Sequence, residues 1–364
     1  MDAKKILASQ PPQKWTHEYL PISGYGPFLL ATQRLALGDD LFDLHVRAKT
    51  VGSIQALSGT GALYLGAALL SKFSPNKTVL LPNPTWGNHH AMFREAGLDV
   101  KEYRYIDFSR PTTPALDFEG FKADLEAATE GTTVLLHMCA HNPTGVDPTP
   151  EQWSALAQIC LRRKLQVFFD NAYQGFASGD LDYDASSLRA FISAGLCPLV
   201  ACSFAKNMGL YGERCGVLHV VAPDEQSCKN AMSQVSVIAR TTYSNPPAFG
   251  ASVAHLVLSE PALREQWKAE LVEMSSRIKS MRQALKSSIC KATGDGEDKW
   301  NHITSQIGMF SYTGLTPSQV AHCAEHGSLF MLNTGRVSMA GVNEGNVERV
   351  GATMAAAIKA CPSV

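Results

Sequence analysis

From about Ser53 to Val221 the chain alternates short apolar runs with longer stretches of helical period. Thr78–Pro82 is one such run, and the segment after it reads as a helix to Gly97. Thr133–Met138 precedes a turn and a predicted helix over Pro150–Lys164. Gln166–Asp170 and Leu199–Phe204 continue the series, and Val217–Val221 closes it. Short apolar runs alternating with helical periods predict a largely parallel sheet covered on both faces. After Asp224 the texture changes. Asp224–Arg240 and Ala248–Lys291 read as helices, the second carrying Leu256, Leu263, Trp267, Leu271, Met274, Ile278 and Leu285 at three- and four-residue steps. Gly308–Tyr312 and Arg336–Met339 read as short strands around a helix over Thr316–His326, and a last helix is predicted over Glu344–Lys359. The pattern predicts an α/β protein with a second, smaller α/β domain reached through a long helix.

Charge and composition act mainly by exclusion. Among 364 residues, Lys plus Arg against Asp plus Glu gives 32 − 33 = −1, so no basic excess is available to neutralise a phosphate backbone. A nucleic-acid partner is therefore not expected. No run approaches the roughly 18 apolar residues that span a bilayer, so no membrane partner is expected either. The nine cysteines are scattered, with no CxxC pair, which speaks against a zinc ribbon or a dithiol redox site. Reduced thiols and the lack of a secretory signal make the cytoplasm the expected location.

In open parallel sheets, ligands sit at the carboxyl ends of the strands, so chemistry is sought in the loops that follow the apolar runs. Ser58-Gly59-Thr60-Gly61 opens a helical stretch, either as a phosphate cradle at a helix N-terminus or as an ordinary cap. It is not a Walker A loop, since no Gly-Lys-Ser/Thr follows. Asp170 ends the run Val167-Phe168-Phe169. A carboxylate there can cap a helix, bind a metal, or pair with the cationic ring nitrogen of a cofactor, and Tyr173 is near enough to reach the same ligand. Lys206 stands just past the run ending at Ser203. A surface position is the default for lysine, but desolvation at a strand end would lower its pKa and suit Schiff-base chemistry with an aldehyde. Trp86, at a strand-to-helix junction, is either core or a stacking platform. His89 and His137 read as structural histidines, and no metal site is expected. Arg214, Arg240 and Arg336 each stand beside turn-forming or small residues. Together they could supply one guanidinium for a phosphate and two for a substrate with two carboxylates.

These residues lie within longer stretches: HEYLPISG at His17–Gly24, QALSGTGAL at Gln55–Leu63, PTWGNH at Pro84–His89 and HMCAHNPTGVDPTPEQW at His137–Trp153. FFDNAYQGFASG at Phe168–Gly179, SFAKNMGLYGERCG at Ser203–Gly216, YSNPP at Tyr243–Pro247, WNHITSQIGMFSYTGL at Trp300–Leu315 and GRVSMAG at Gly335–Gly341 complete the series. In this order they closely resemble the aspartate aminotransferase family, class I aminotransferases of the fold-type I pyridoxal-phosphate group. The resemblance runs from about Lys4 and lacks the N-terminal segment usual in that family, which puts one wall of the substrate pocket in question.

The resemblance implies a mainly parallel, seven-stranded-type sheet in a large cofactor-binding domain over 21–270. A residual N-terminal segment would occupy 1–20 and a smaller C-terminal α/β domain 271–364. It implies pyridoxal 5′-phosphate bound covalently to Lys206, which would also shuttle the substrate proton. Asp170 would hold the ring nitrogen protonated, Tyr173 and Asn142 would bond the ring oxygen, and Trp86 would stack on the ring. Ser58, Gly59, Thr60, Ser203 and Arg214 would hold the phosphate, and Arg336 the α-carboxylate, with Trp86 and Asn142 also facing substrate. Tyr19 and Arg240 would reach across a homodimer interface, to the phosphate and to a distal carboxylate. The implied reaction is reversible transfer of the amino group of L-aspartate to 2-oxoglutarate, giving oxaloacetate and L-glutamate. An aromatic or broad-specificity aminotransferase and a truncated, non-catalytic paralogue are the alternatives.

Overall fold

The computed structural model of the chain describes residues 2–9, 17–109 and 114–362. Its main sheet has seven strands: β1 (Val51–Leu57), β2 (Thr78–Asn83), β3 (Asp99–Arg104), β4 (Thr133–His137), β5 (Gln166–Asn171), β6 (Leu199–Ser203) and β7 (Cys215–Val221). They lie in the order β1-β7-β6-β5-β4-β2-β3. β7 runs antiparallel to both of its neighbours, and every other pairing is parallel. The central strands β4, β6 and β7 are buried at every position. Successive side chains point to opposite faces, so Leu135, Phe168, Ala201 and Leu218 join one core while Val134, Phe169, Val200 and Val217 join the other. A fully buried side chain of this kind contributes about 1.5–3 kcal/mol.

The two strands that the apolar pattern does not announce are the two sheet edges. β1 carries Gly52, Ser53 and Gln55, and β3 (Asp-Val-Lys-Glu-Tyr-Arg) buries only Tyr103. Polar edges limit pairing with other chains, and they also dilute the apolar signal. A second difference falls in the long helix expected over Ala248–Lys291. It is two helices, Ala248–Ser259 and Pro261–Thr293. Pro261 has no N–H to continue the first helix and holds Glu260 extended (φ −86°, ψ 115°), but it suits the first turn of the second.

Pro261–Thr293 links the two parts of the molecule. Near its start Trp267 donates from Nε1 to the Asn207 carbonyl beside the main sheet, at 2.7 Å. Further on it packs against the helix Val347–Ala360, and Arg282 reaches from it to the Phe310 carbonyl of β8 (Phe310–Tyr312), which pairs antiparallel with β9 (Arg336–Ser338). The expected boundary at residue 270 lies inside this helix. Among the described residues, no helix is long and apolar enough to cross a membrane.

One buried polar chain ties the helix Gly26–Leu37 to the sheet. Gln33 Nε2 donates to Ser53 Oγ at 2.6 Å, and Ser53 Oγ lies 2.6 Å from His219 Nδ1 on β7. Burial holds the His219 imidazole neutral, with its pKa pushed down to about 3. The unfolded chain takes up a proton near the ordinary histidine value of about 6.5, whereas the folded chain does not. This contribution is therefore complete above pH ~6.5 and is lost as pH falls toward ~3, up to roughly 4–5 kcal/mol. His219→Gln is expected to flatten the drop in unfolding free energy between pH 7 and pH 5, measured by urea titration at both. A variant with the wild-type slope would show that His219 is not responsible.

Candidate active site

The loops after β1, β2, β4, β5 and β6 all leave the sheet at the same end, the carboxyl ends of these strands, because the strands are parallel. β7 is antiparallel, so its start, rather than its end, meets them there. This placement brings Ser58, Trp86, Asn142, Asp170, Lys206 and Arg214 to one cleft of about 330 Å³. Gly59, Thr60, Tyr173, Ser203 and Arg336 line it as well. A larger hollow of about 580 Å³ shares Lys206 and Tyr211. It lacks Ser58–Thr60, Asp170 and Arg336, so the chemistry belongs to the smaller cleft.

Ser58 begins the helix Ser58–Phe73 in left-handed backbone geometry (φ 60°). Its Oγ lies 2.9 Å from Ser203 Oγ, and its N–H donates to the Arg214 carbonyl at 3.1 Å. The helix approaches the sheet closely at Gly66, where an added Cβ would lie 2.4 Å from the Phe168 ring. The result is an anion-facing helix N-terminus with two serine hydroxyls and a guanidinium at one end of the cleft. Arg214 is exposed and donates from Nη1 to the Tyr211 carbonyl at 2.9 Å.

Asp170, near the end of β5, stands opposite His137 in the β4 register. Burial would raise its pKa. The hydrogen bond from His89, joined by the electrostatic influence of His89, His137 and Lys206, outweighs burial and holds it below the usual carboxylate range. His89 Nε2 is 3.2 Å from Asp170 Oδ2, and His89 Nδ1 is 2.8 Å from Thr85 Oγ1. An ionised acceptor assigns the proton to His89 Nε2 and leaves Nδ1 to accept from Thr85. His137 Nδ1 accepts the Asn142 N–H at 2.9 Å. Burial first, then His89, pushes the His137 pKa down to about 3, so it is neutral.

His89, His137 and Asp170 bring ligand-type atoms within 4.8 Å of one another. Both rings are nevertheless already committed to hydrogen bonds, and the trio reads as a scaffold that keeps Asp170 charged. Sequence reasoning treated the two histidines as structural. Their signal lay in position, since His137 closes an apolar run and His89 follows Trp86 by three residues.

Lys206 is half-buried, and desolvation lowers its pKa; Asp170 opposes that shift and Arg214 adds to it. No hydrogen bond or ion pair holds its Nζ among the described residues, and it lies 5.4 Å from the Tyr173 ring centre. Tyr173 is buried, and burial together with the Asp170 charge raises its phenol, which stays protonated as a donor. Arg336 donates from Nη1 to Asn142 Oδ1 at 2.8 Å and packs over the Phe310 ring at 4.1 Å. Phe310 and Tyr211 line the cleft without having been singled out in the sequence.

Two expected residues are not in this cleft. Tyr19 is 86% exposed. Arg240, exposed near the end of the helix Glu225–Thr242, donates to Ser244 Oγ.

The donor set has the complement of one ligand type. It offers an anion cradle for a phosphate, an amine for an aldehyde, a carboxylate for a cationic ring nitrogen and an indole for a flat ring. The residues present fit pyridoxal phosphate.

Comparison with known proteins agrees. A family model for aminotransferase class I and II matches residues 9–353. The mitochondrial aspartate aminotransferase P2 of Lupinus angustifolius is 48% identical over 90% of this chain and 70% of its own length. That of Dictyostelium discoideum mitochondria is 44% identical over 94% of this chain and 79% of its own. Among solved structures, an aromatic-amino-acid aminotransferase from Burkholderia pseudomallei, covalently bound to pyridoxal phosphate, superposes with a TM-score of 0.91 at 38% identity. It covers 98% of this chain and 86% of the other. Both curated relatives are mitochondrial by name, which corrects the cytoplasmic location expected from the sequence. Reduced cysteines do not distinguish the cytosol from a mitochondrial interior.

Proposed function

The chain belongs to the class I and II aminotransferases, and from that premise we propose that it moves the amino group of L-aspartate to 2-oxoglutarate, reversibly, giving oxaloacetate and L-glutamate. One observation carries the reading: a single cleft gathers Lys206, a charged Asp170, the Ser58–Thr60 cradle and Arg336. The named activities of the lupin and Dictyostelium relatives support it, and residence in mitochondria as in those relatives is part of the same reading.

Bound pyridoxal phosphate supplies an aldehyde and an electron sink for charge developing at the substrate Cα. Ser58, Gly59, Thr60, Ser203 and Arg214 would hold its phosphate, and Trp86 would face its ring. Asp170, backed by His89, would offer its negative charge to the ring nitrogen. Tyr173 would donate from its phenol to the ring oxygen, with Asn142 as a second partner. Arg336 binds the substrate α-carboxylate as a fork, with Asn142 fixing one of its nitrogens. Lys206 Nζ takes the proton from Cα, its lowered pKa favouring the free amine that the task needs.

Arg240 and Tyr19 complete the site from a second copy of the chain in a homodimer. Their position on the surface, away from their own cleft, suits that arrangement. A charged hydrogen bond contributes about 1.5–3 kcal/mol, or roughly 10- to 150-fold in selectivity. Arg240→Ala is therefore expected to lower kcat/KM for aspartate by roughly that factor and to spare an aromatic substrate. Unchanged aspartate turnover, or equal loss on both substrates, rejects the dicarboxylate assignment. A broad or aromatic specificity is the second reading, favoured by the likeness to the Burkholderia enzyme. A substrate profile separates the two.

A further inference from the structure

Arg282 lies in the helix Pro261–Thr293 and is 1% exposed. Its Nη1 donates to the Ile303 carbonyl at 2.9 Å, and its Nη2 to those of Gly308 at 3.0 Å and Phe310 at 2.5 Å. Burial lowers its pKa to about 10, so it remains charged at neutral pH, and no carboxylate contributes among the described residues. A guanidinium stripped of water without a counter-ion is costly, and an apolar side chain of similar volume would fill the space more cheaply. What the guanidinium alone provides is a rigid fork on three main-chain carbonyls.

Ile303 belongs to the short helix Asn301–Ser305, Gly308 to the turn that follows it, and Phe310 is the first residue of β8. Gly308 takes φ +80° there, and a Cβ on it would lie 2.5 Å from Ala140 Cβ. Ile307 donates its N–H to the Gly145 carbonyl at 2.8 Å. The turn thus packs, main chain against main chain, on the loop that presents Asn142. Phe310 follows directly, with its ring 4.1 Å from the Arg336 guanidinium.

We propose that Arg282 is a positioning residue for the substrate-carboxylate clamp: its grip on Gly308 and Phe310 holds the Phe310 ring against Arg336 and keeps Arg336 aimed into the cleft beside Asn142. The inference rests on Arg336 being the carboxylate anchor of the proposed aminotransferase site. A purely structural arginine would alter stability and leave carboxylate affinity in the folded protein unchanged. A positioning arginine moves affinity.

The test is calorimetric titration of the pyridoxal-phosphate-loaded dimer with succinate, a dicarboxylate that carries no amino group to transfer. Arg282→Met is expected to bind succinate at least about tenfold more weakly, the scale of a small misplacement in a fitted site. Arg282→Lys, which can reach some of the same carbonyls, should recover part of that loss. Phe310→Leu should weaken binding similarly, and the double variant R282M/F310L little further, because both act through one ring. If R282M does not fold, R282K and F310L carry the test, and wild-type succinate affinity in both overturns the proposal. A folded R282M that binds succinate as tightly as the wild type also overturns it, while leaving the proposed function intact. A wild type indifferent to succinate removes the dicarboxylate reading and this inference with it.

Discussion

Lys206→Ala is expected to lower kcat for aspartate by roughly 10⁴-fold or more while the protein stays folded. General acid–base catalysis alone contributes about 10²- to 10⁴-fold, and Lys206 is also the amine that holds the cofactor, so both contributions go together. Stability should not suffer. The Nζ makes no hydrogen bond or ion pair among the described residues, and its desolvation is unfavourable, so removing it relieves a cost. The checks are a steady-state assay with aspartate and 2-oxoglutarate, a thermal unfolding curve, and borohydride reduction followed by mass spectrometry. Reduction should fix the cofactor mass on the wild type, on a peptide containing Lys206, and on no peptide of the variant. A variant that retains more than a few per cent of activity would show that another amine does the work, and the reading of the cleft would fail.

How much of this was legible in the sequence depends on what kind of signal each residue carries. The central strands were, because β4 to β7 are buried on both faces and so read as unbroken apolar runs. The edge strands were not, because a polar edge such as Asp99–Arg104 looks like loop in an apolar count. Nor was the antiparallel direction of β7 legible, although it alone explains why Arg214, ahead of a strand, meets residues that lie behind strands. Asp170 and Lys206 could be nominated from their place at strand ends, but each had a bland alternative until the series of motifs supplied the resemblance. His89 and His137 carried no spacing that linked them to Asp170. Their connection is made by neighbouring parallel strands, at a separation in sequence that no local pattern spans. Arg282 was invisible for the opposite reason: an arginine on a helix defaults to solvent, and only the fold places it under β8.

Asp170→Asn is expected to lower kcat by roughly 150- to 5,000-fold, because breaking a buried charge pair by removing one partner costs about 3–5 kcal/mol. The amide has nearly the same shape and can still accept from His89 Nε2, so the loss reports the charge rather than the volume. The pH dependence sharpens this. The His89 hydrogen bond leads the effects that hold the Asp170 pKa below the ordinary carboxylate value despite its burial. Wild-type Asp170 therefore stays ionised as the medium is acidified from 8 to 5, and any acidic loss of activity in that range must come from another group. Asp170→Asn should accordingly scale the pH–rate profile down without moving its acidic limb, and Asp170→Glu should restore part of the rate by returning the charge. A profile whose acidic limb disappears in the asparagine variant would mean that Asp170 itself titrates there. Activity within threefold of wild type would mean that no cationic ring nitrogen is held in the cleft. In either case the arrangement of Thr85, His89 and His137 behind the carboxylate would need a purpose other than keeping it charged.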